Sequence, residues 1–218
     1  MIDSILQSIR DYQSKHADLQ ACHHFTFDRR VNADGVKPVV AVIGMNPGEV
    51  KKDWRDFPTS TPLEESSEFD FRDGQKRPRN STKWLNNIGR FLDGKPATTT
   101  EFFLWSTPDT DESFVERFGH AFEDSPHFDF CTKSNLALLE AHDIQLVVCP
   151  GLKSLEIANG RYGLRHVDTM RDERDGHRLV EHYEGQSRTW LFTKHWSGSR
   201  GFDAEQMNLI KEYILKQI

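Results

Sequence analysis

The sequence has few cysteines and no long apolar segment. Its three cysteines, Cys22, Cys131 and Cys149, lie far apart, so one chain offers neither a disulfide framework nor a four-cysteine zinc or iron–sulfur site. No stretch approaches the ~20 apolar residues that a membrane helix needs, and the N-terminus lacks the basic and apolar pattern of a signal segment. These absences predict a cytoplasmic protein with no membrane association.

An excess of positive charge is also missing. The 218 residues include 28 Lys and Arg against 34 Asp and Glu, a formal charge of −6, so only a local basic groove would attract nucleic acid. The segment 72–90 has the composition of such a groove. Its charged residues are Arg72, Asp73, Lys76, Arg77, Arg79, Lys83 and Arg90. A phosphate-contacting patch and a solvated loop and helix face are both open interpretations of this basic run.

Motifs for metal ions and nucleotide cofactors are absent as well. No two histidines have the H-E-x-x-H or a comparable ligand spacing. The glycine pairs Gly160 with Gly163 and Gly198 with Gly201 do not fit the G-x-G-x-x-G or Walker spacings. The sequence therefore predicts no metal and no cofactor.

Apolar periodicity predicts strands that alternate with helices. Buried core strands are predicted at 38–45, 102–105, 144–149 and 189–193, and an edge hairpin at 178–182. Amphipathic helices are predicted around 2–12, 82–92, 136–139 and 209–214. This alternation favours a single domain, residues 1–218, with an α/β fold: a three-layer α/β/α sandwich around a mostly parallel central sheet.

Two short segments follow the first and the last predicted core strands. They are Gly44-Met45-Asn46-Pro47-Gly48 and His195-Trp196-Ser197-Gly198-Ser199-Arg200. Taken alone, Asn-Pro-Gly is an ordinary turn, and a lone histidine is most often a surface residue with a structural partner. Because loops at the carboxyl ends of parallel strands converge on one edge of a sheet, the pair predicts a functional site there.

Together, these two segments resemble the signature motifs of the uracil-DNA glycosylase superfamily. The first is similar to the loop of the single-strand-selective and mismatch-specific branches, and the similar order of elements extends from about Val39 to Arg200. The resemblance implies a uracil-DNA glycosylase-like fold, DNA binding, and a hydrolase of DNA repair that removes uracil or a related damaged base. It also implies that Asn46 positions the water and His195 donates to the base carbonyl. Asparagine cannot act as a general base, so its contribution would be orientation.

The resemblance further implies a set of substrate contacts around these two catalytic candidates. The expected contacts are Gly44, Met45, Pro47, Gly48, Trp54, Phe57, Ser106, Ser197 and Arg200. Trp54 or Phe57 would stack on the base, and packing aromatics in a loop are an equally good interpretation. Ser106 or Thr107 would hydrogen-bond the ligand, where the family usually has an asparagine.

Departures from the family pattern define an alternative. Trp196 stands where the family commonly has proline, and Gly198-Ser199 lacks the leucine that wedges the duplex in the mismatch-specific branch. Trp196, Ser106 and the negative charge favour a non-catalytic or differently specific member of the fold. Such a protein would bind a base, a nucleoside or single-stranded nucleic acid. A third interpretation, a partner-binding domain, makes both segments ordinary turns.

Overall fold

The computed structural model describes residues 1–22, 25–33, 35–46, 84, 87–107, 111–196 and 203–218. Within them, strands form one sheet in the order β1-β3-β2-β4-β7-β6-β5. The strands are β1 (Arg29–Val31), β2 (Val40–Gly44), β3 (Ala97–Glu101), β4 (Leu146–Pro150), β5 (Arg165–Arg171), β6 (Arg178–Gly185) and β7 (Arg188–Thr193). The four central strands, β3, β2, β4 and β7, run parallel. The outer strands β1, β6 and β5 pair antiparallel.

Two of the described helices have recognisable end signals in the sequence. The helices are α1 (Ile2–Gln13), α2 (Ala17–Gln20), α3 (Asp111–Phe118), α4 (Phe128–Ala141), α5 (Ser154–Tyr162) and α6 (Ala204–Leu215), with helical residues also at 87–91. The Asp203 side chain accepts a hydrogen bond from the Gln206 N–H and so caps α6. Gly163, with φ of 61°, ends α5 in the left-handed conformation. Among the described helices, none has the length and apolar character needed to cross a bilayer.

Alternating side chains of the central strands build a core on each face of the sheet. Ala41 and Ile43 of β2 pack into a cluster with apolar residues of α1 to α5. Val40 and Val42 point to the other face, where they join residues 88–92, Trp196 and α6. The sheet therefore lies between two helical layers, as the strand and helix pattern predicts.

The predicted second core strand at 102–105 is wrong, because the strand is β3, immediately before it. All five residues of β3 are buried, and they pair in parallel register with β2 from Ala97↔Val40 to Glu101↔Gly44. The apolar run that follows is core material without regular pairing, and its Trp105 forms only an isolated bridge to Phe25. The hydrophobic pattern predicted a strand at 102–105, but the regular pairing with β2 is made by the threonine-rich segment 97–101.

The prediction that 178–182 pairs in an edge hairpin is confirmed, with this segment in the inner strand of the hairpin. This segment lies in β6, which pairs with β7 on one side and with β5 on the other. The edge strand is β5, which is largely exposed and carries no apolar run. Its pairing with β6, rather than burial of its side chains, fixes it as a strand.

Candidate functional site

The two segments singled out in the sequence leave the sheet at the same edge. Asn46 lies two residues beyond β2, and His195 lies two residues beyond β7. One strand, β4, separates them: β4 pairs with β2 through Val42↔Val148 and with β7 through Pro150↔Thr193. Neighbouring strands are about 4.8 Å apart, so β2 and β7 are about 10 Å apart at this edge.

Residues 102–107 form hydrogen bonds with residues 44–46, the start of the first segment. The N–H groups of Phe102 and Phe103 donate to the carbonyls of Gly44 and Met45 at 2.8 and 3.0 Å. Further along, the half-buried Asn46 donates from Nδ2 to Oγ1 of the buried Thr107. The amide plane of Asn46 is thereby oriented by a side chain outside its own loop.

Glu101 is a buried acidic residue at this edge that sequence reasoning missed. Its carboxyl group lies beside the Cα of Gly44, its partner in the β2–β3 register. A Cβ atom at position 44 would overlap that carboxyl group. A glycine at position 44 therefore leaves room for the Glu101 carboxyl group in its present position, which is a reason for the glycine independent of any ligand. The main-chain carbonyl of Glu101 accepts a hydrogen bond from Asn135 Nδ2 at 3.0 Å, which holds the end of β3 in place.

Burial raises the pKa of the Glu101 carboxyl to about 8, while the charge of Arg29 opposes that rise. Desolvation disfavours the charged form of a buried acid, so Glu101 carries its proton at neutral pH. A protonated carboxyl can donate one hydrogen bond and adds no negative charge to the site. The signal in the sequence was a single acid at the end of a threonine run. It was missed because the strand was predicted at 102–105, directly after Glu101, and not at 97–101.

The exposed ring of His195 has an aromatic residue and a glycine as neighbours. It stacks on half-buried Trp84 with a centroid separation of 6.1 Å and an interplanar angle of 25°. A Cβ built at Gly151 would be 3.7 Å from His195 Cδ2, an ordinary van der Waals distance. These neighbours restrict the ring while leaving it accessible at the edge of the sheet.

Trp196 anchors the second segment in the core. It is buried and lies parallel to Phe91, with ring centroids 4.5 Å apart. Its carbonyl accepts a hydrogen bond from Asn87 Nδ2 at 2.8 Å. Trp196 therefore fixes the main chain next to His195 through its packing and this hydrogen bond.

The other expected contacts have different positions. Ser106 is buried next to Thr107, and Met45 is half-buried against the core on the α1 face. Arg90 is exposed. The remaining expected contacts and the rest of the basic run lie outside the described residues: Pro47, Gly48, Trp54, Phe57, Ser197, Arg200 and residues 72–83.

A further group of side chains could share a metal ion. Among the described parts of the chain, His16, Asp18 and His127 form such a group. No protein-family model matches the sequence, and no curated protein matches it. Function is therefore inferred from the chain's own residues and their geometry.

Proposed function

We propose that this protein is a DNA glycosylase that hydrolyses the N-glycosidic bond of uracil or a related damaged base. The proposal rests on one observation above all. The two segments that resemble the superfamily motifs leave β2 and β7 at one edge of a parallel sheet, with a single strand between them. Ligands of open parallel sheets bind at that edge.

In this proposal, Asn46 orients the attacking water. Cleavage of the bond develops positive charge on the sugar, so a water placed next to the anomeric carbon is stabilised as it attacks. Asn46 Nδ2 already donates to Thr107, which leaves the amide oxygen as the group that accepts a hydrogen bond from the water. An amide does not take up the proton, so the reaction depends on a base that leaves readily, such as uracil.

His195 donates a hydrogen bond to the departing base. Negative charge develops on the base carbonyl as the bond breaks, and a donor held in advance stabilises that charge. The stack on Trp84 limits the positions of the imidazole ring. A donor of this kind typically contributes about 10²–10³ in rate.

Glu101 supports this chemistry by being neutral. A charged carboxylate beneath Gly44 would repel both the phosphates of DNA and the anionic leaving base. Because burial raises its pKa to about 8, the group stays protonated at physiological pH. Its part is to position Gly44 and the loop leading to Asn46, without a role in bond cleavage.

A second candidate function is the binding of a base, nucleoside or single strand without cleavage. The packing of Trp196 against Phe91 favours it, because the chain beside His195 is fixed by a core residue where the family has proline. The stacked rings of Trp84 and His195 also form an aromatic surface on which a base could stack.

One assay separates the two functions. Single- and double-stranded oligonucleotides carrying uracil or common base lesions are incubated with the protein, and abasic sites are cleaved with alkali. Glycosylase activity should fall about 10²–10³-fold in Asn46→Ala and in His195→Ala, and remain in the control His177→Ala, which removes an exposed histidine paired with Asp175. Binding without cleavage, weakened by Trp84→Ala, supports the second function. Absence of both cleavage and binding rejects both functions.

A further inference from the structure

A compact group of metal-binding side chains lies where α1 and α2 meet the start of α4. His16 and Asp18 flank the beginning of α2, and His127 directly precedes α4. One potential ligand atom from each lies within 4.8 Å of the others. Residues distant in sequence thus bring two imidazole nitrogens and a carboxylate oxygen to one point.

His127 has the hydrogen bonding of a metal ligand with a supporting residue behind it. The residue is buried, and its Nε2 lies 2.8 Å from Asp18 Oδ2. Its other nitrogen, Nδ1, lies 3.2 Å from the hydroxyl of Tyr12. Metal-binding histidines almost always use their second ring nitrogen in this way, which fixes the direction of the first.

Tyr12 also fixes His16. The two rings lie tilted against each other, with centroids 4.2 Å apart and an interplanar angle of 33°, and His16 meets the His127 ring edge-on at 5.0 Å. His16 and Asp18 are only half-buried, so an ion has access from solvent and a water molecule can complete its coordination. Two nitrogens, one carboxylate oxygen and a water are a common ligand set for zinc.

The distances are compatible with a bound ion after small side-chain movements. Tetrahedral zinc with ligands at about 2.1 Å sets donor atoms about 3.4 Å apart. That spacing lies between the 2.8 Å separation of His127 and Asp18 and the 4.8 Å limit of the group. Without metal, His127 Nε2–H donates to the carboxylate; on binding, the neutral ring carries its one proton on Nδ1 instead, and the Nε2 lone pair binds zinc. Nδ1–H then donates to the Tyr12 oxygen.

We propose that His16, Asp18 and His127 bind one zinc ion that ties the α1–α2 junction to the start of α4. The site is independent of the glycosylase function. Its alternative is a metal-free hydrogen-bonded chain from Asp18 through His127 to Tyr12. Zinc binding requires His16, whereas the hydrogen bonds from Asp18 through His127 to Tyr12 do not include it.

The test is a calorimetric titration of metal-stripped full-length protein with Zn²⁺, together with Co²⁺ absorption spectra. We expect one ion per chain and the visible bands of four-coordinate cobalt. His16→Ala removes a ligand and leaves the Asp18–His127 bond intact, and Asp18→Asn keeps a hydrogen-bond acceptor but loses the carboxylate. Tyr12→Phe removes only a supporting residue and should weaken Zn²⁺ binding roughly 10–100-fold. His16→Ala and Asp18→Asn each remove a ligand and should weaken it by at least as much.

His120→Ala is the matched control, because His120 is a nearby half-buried histidine outside the group. Its Zn²⁺ affinity should equal that of the wild type. Circular dichroism of each metal-free variant checks the fold, so weaker binding by a folded His16→Ala protein supports the site. The proposal is overturned if the wild type binds no Zn²⁺, or if His16→Ala and Asp18→Asn bind it as tightly as the control does.

Discussion

The carboxyl group of Glu101 fills the space above the Cα of Gly44 that any other side chain at position 44 would occupy. Two adjacent parallel strands thereby share one packing unit at their carboxyl ends. The unit links the fold to the candidate site, because the chain continues from Gly44 through Met45 to Asn46.

Replacement of Gly44 by alanine should destabilise the protein. The added methyl group overlaps the Glu101 carboxyl, and overpacking of a buried site typically costs about 1–3 kcal/mol. Chemical denaturation of Gly44→Ala measures the cost. The same substitution in a Glu101→Ala background should cost less, because the overlapping group is gone. Equal costs in the two backgrounds would show that the overlap is not the cause.

Glu101 should make stability depend on pH. Between its usual pKa of 4.5 and the raised value of about 8, the folded protein keeps a proton that the unfolded chain has released. The free energy of unfolding therefore falls as pH rises through that window, by up to about 1.4 kcal/mol per pH unit. Urea unfolding at about pH 5 and about pH 8 should show this loss in the wild type and a smaller one in Glu101→Gln. Identical pH dependence in the two proteins would contradict the assignment.

Thr107 should affect catalysis more than binding, provided that the oligonucleotide assay detects activity. Thr107→Val keeps the shape of this buried side chain and removes the oxygen that accepts from Asn46. A less well oriented amide should lower kcat by about tenfold, with KM almost unchanged. Thr169→Val, on β5, is the control, because its hydroxyl contacts Glu181 and not the site. A rise in KM alone would assign Thr107 to substrate binding.

Trp196 should be important for folding. Truncation to alanine removes its packing on Phe91, and loss of a buried tryptophan typically costs about 3–5 kcal/mol. Trp196→Phe keeps an aromatic ring there and should cost clearly less. Thermal and chemical unfolding of both variants give the comparison. If Trp196→Ala is as stable as the wild type, the second segment is held by other contacts.

The sequence by itself determined the central part of the fold. The runs in β2 and β4 are apolar and rich in valine, and β7 contains the apolar run 190–192; such short apolar runs are typical of buried parallel strands. Once those strands are parallel, the loops after Gly44 and Thr193 must leave at one edge. The sequence pattern alone therefore predicted that Asn46 and His195 lie at the same edge of the sheet.

Only the tertiary structure decided what surrounds these residues. β3 is a strand because five of its residues pair with β2 in regular register, whereas the more hydrophobic run after it continues that bonding through Phe102 and Phe103 and forms no regular strand. Glu101 is protonated because burial against Gly44 removes it from water, a condition that no local pattern encodes. His16, Asp18 and His127 came together because α1 packs near the start of α4. Each of these contacts joins residues far apart in the chain, and local propensity carries no information on such distances.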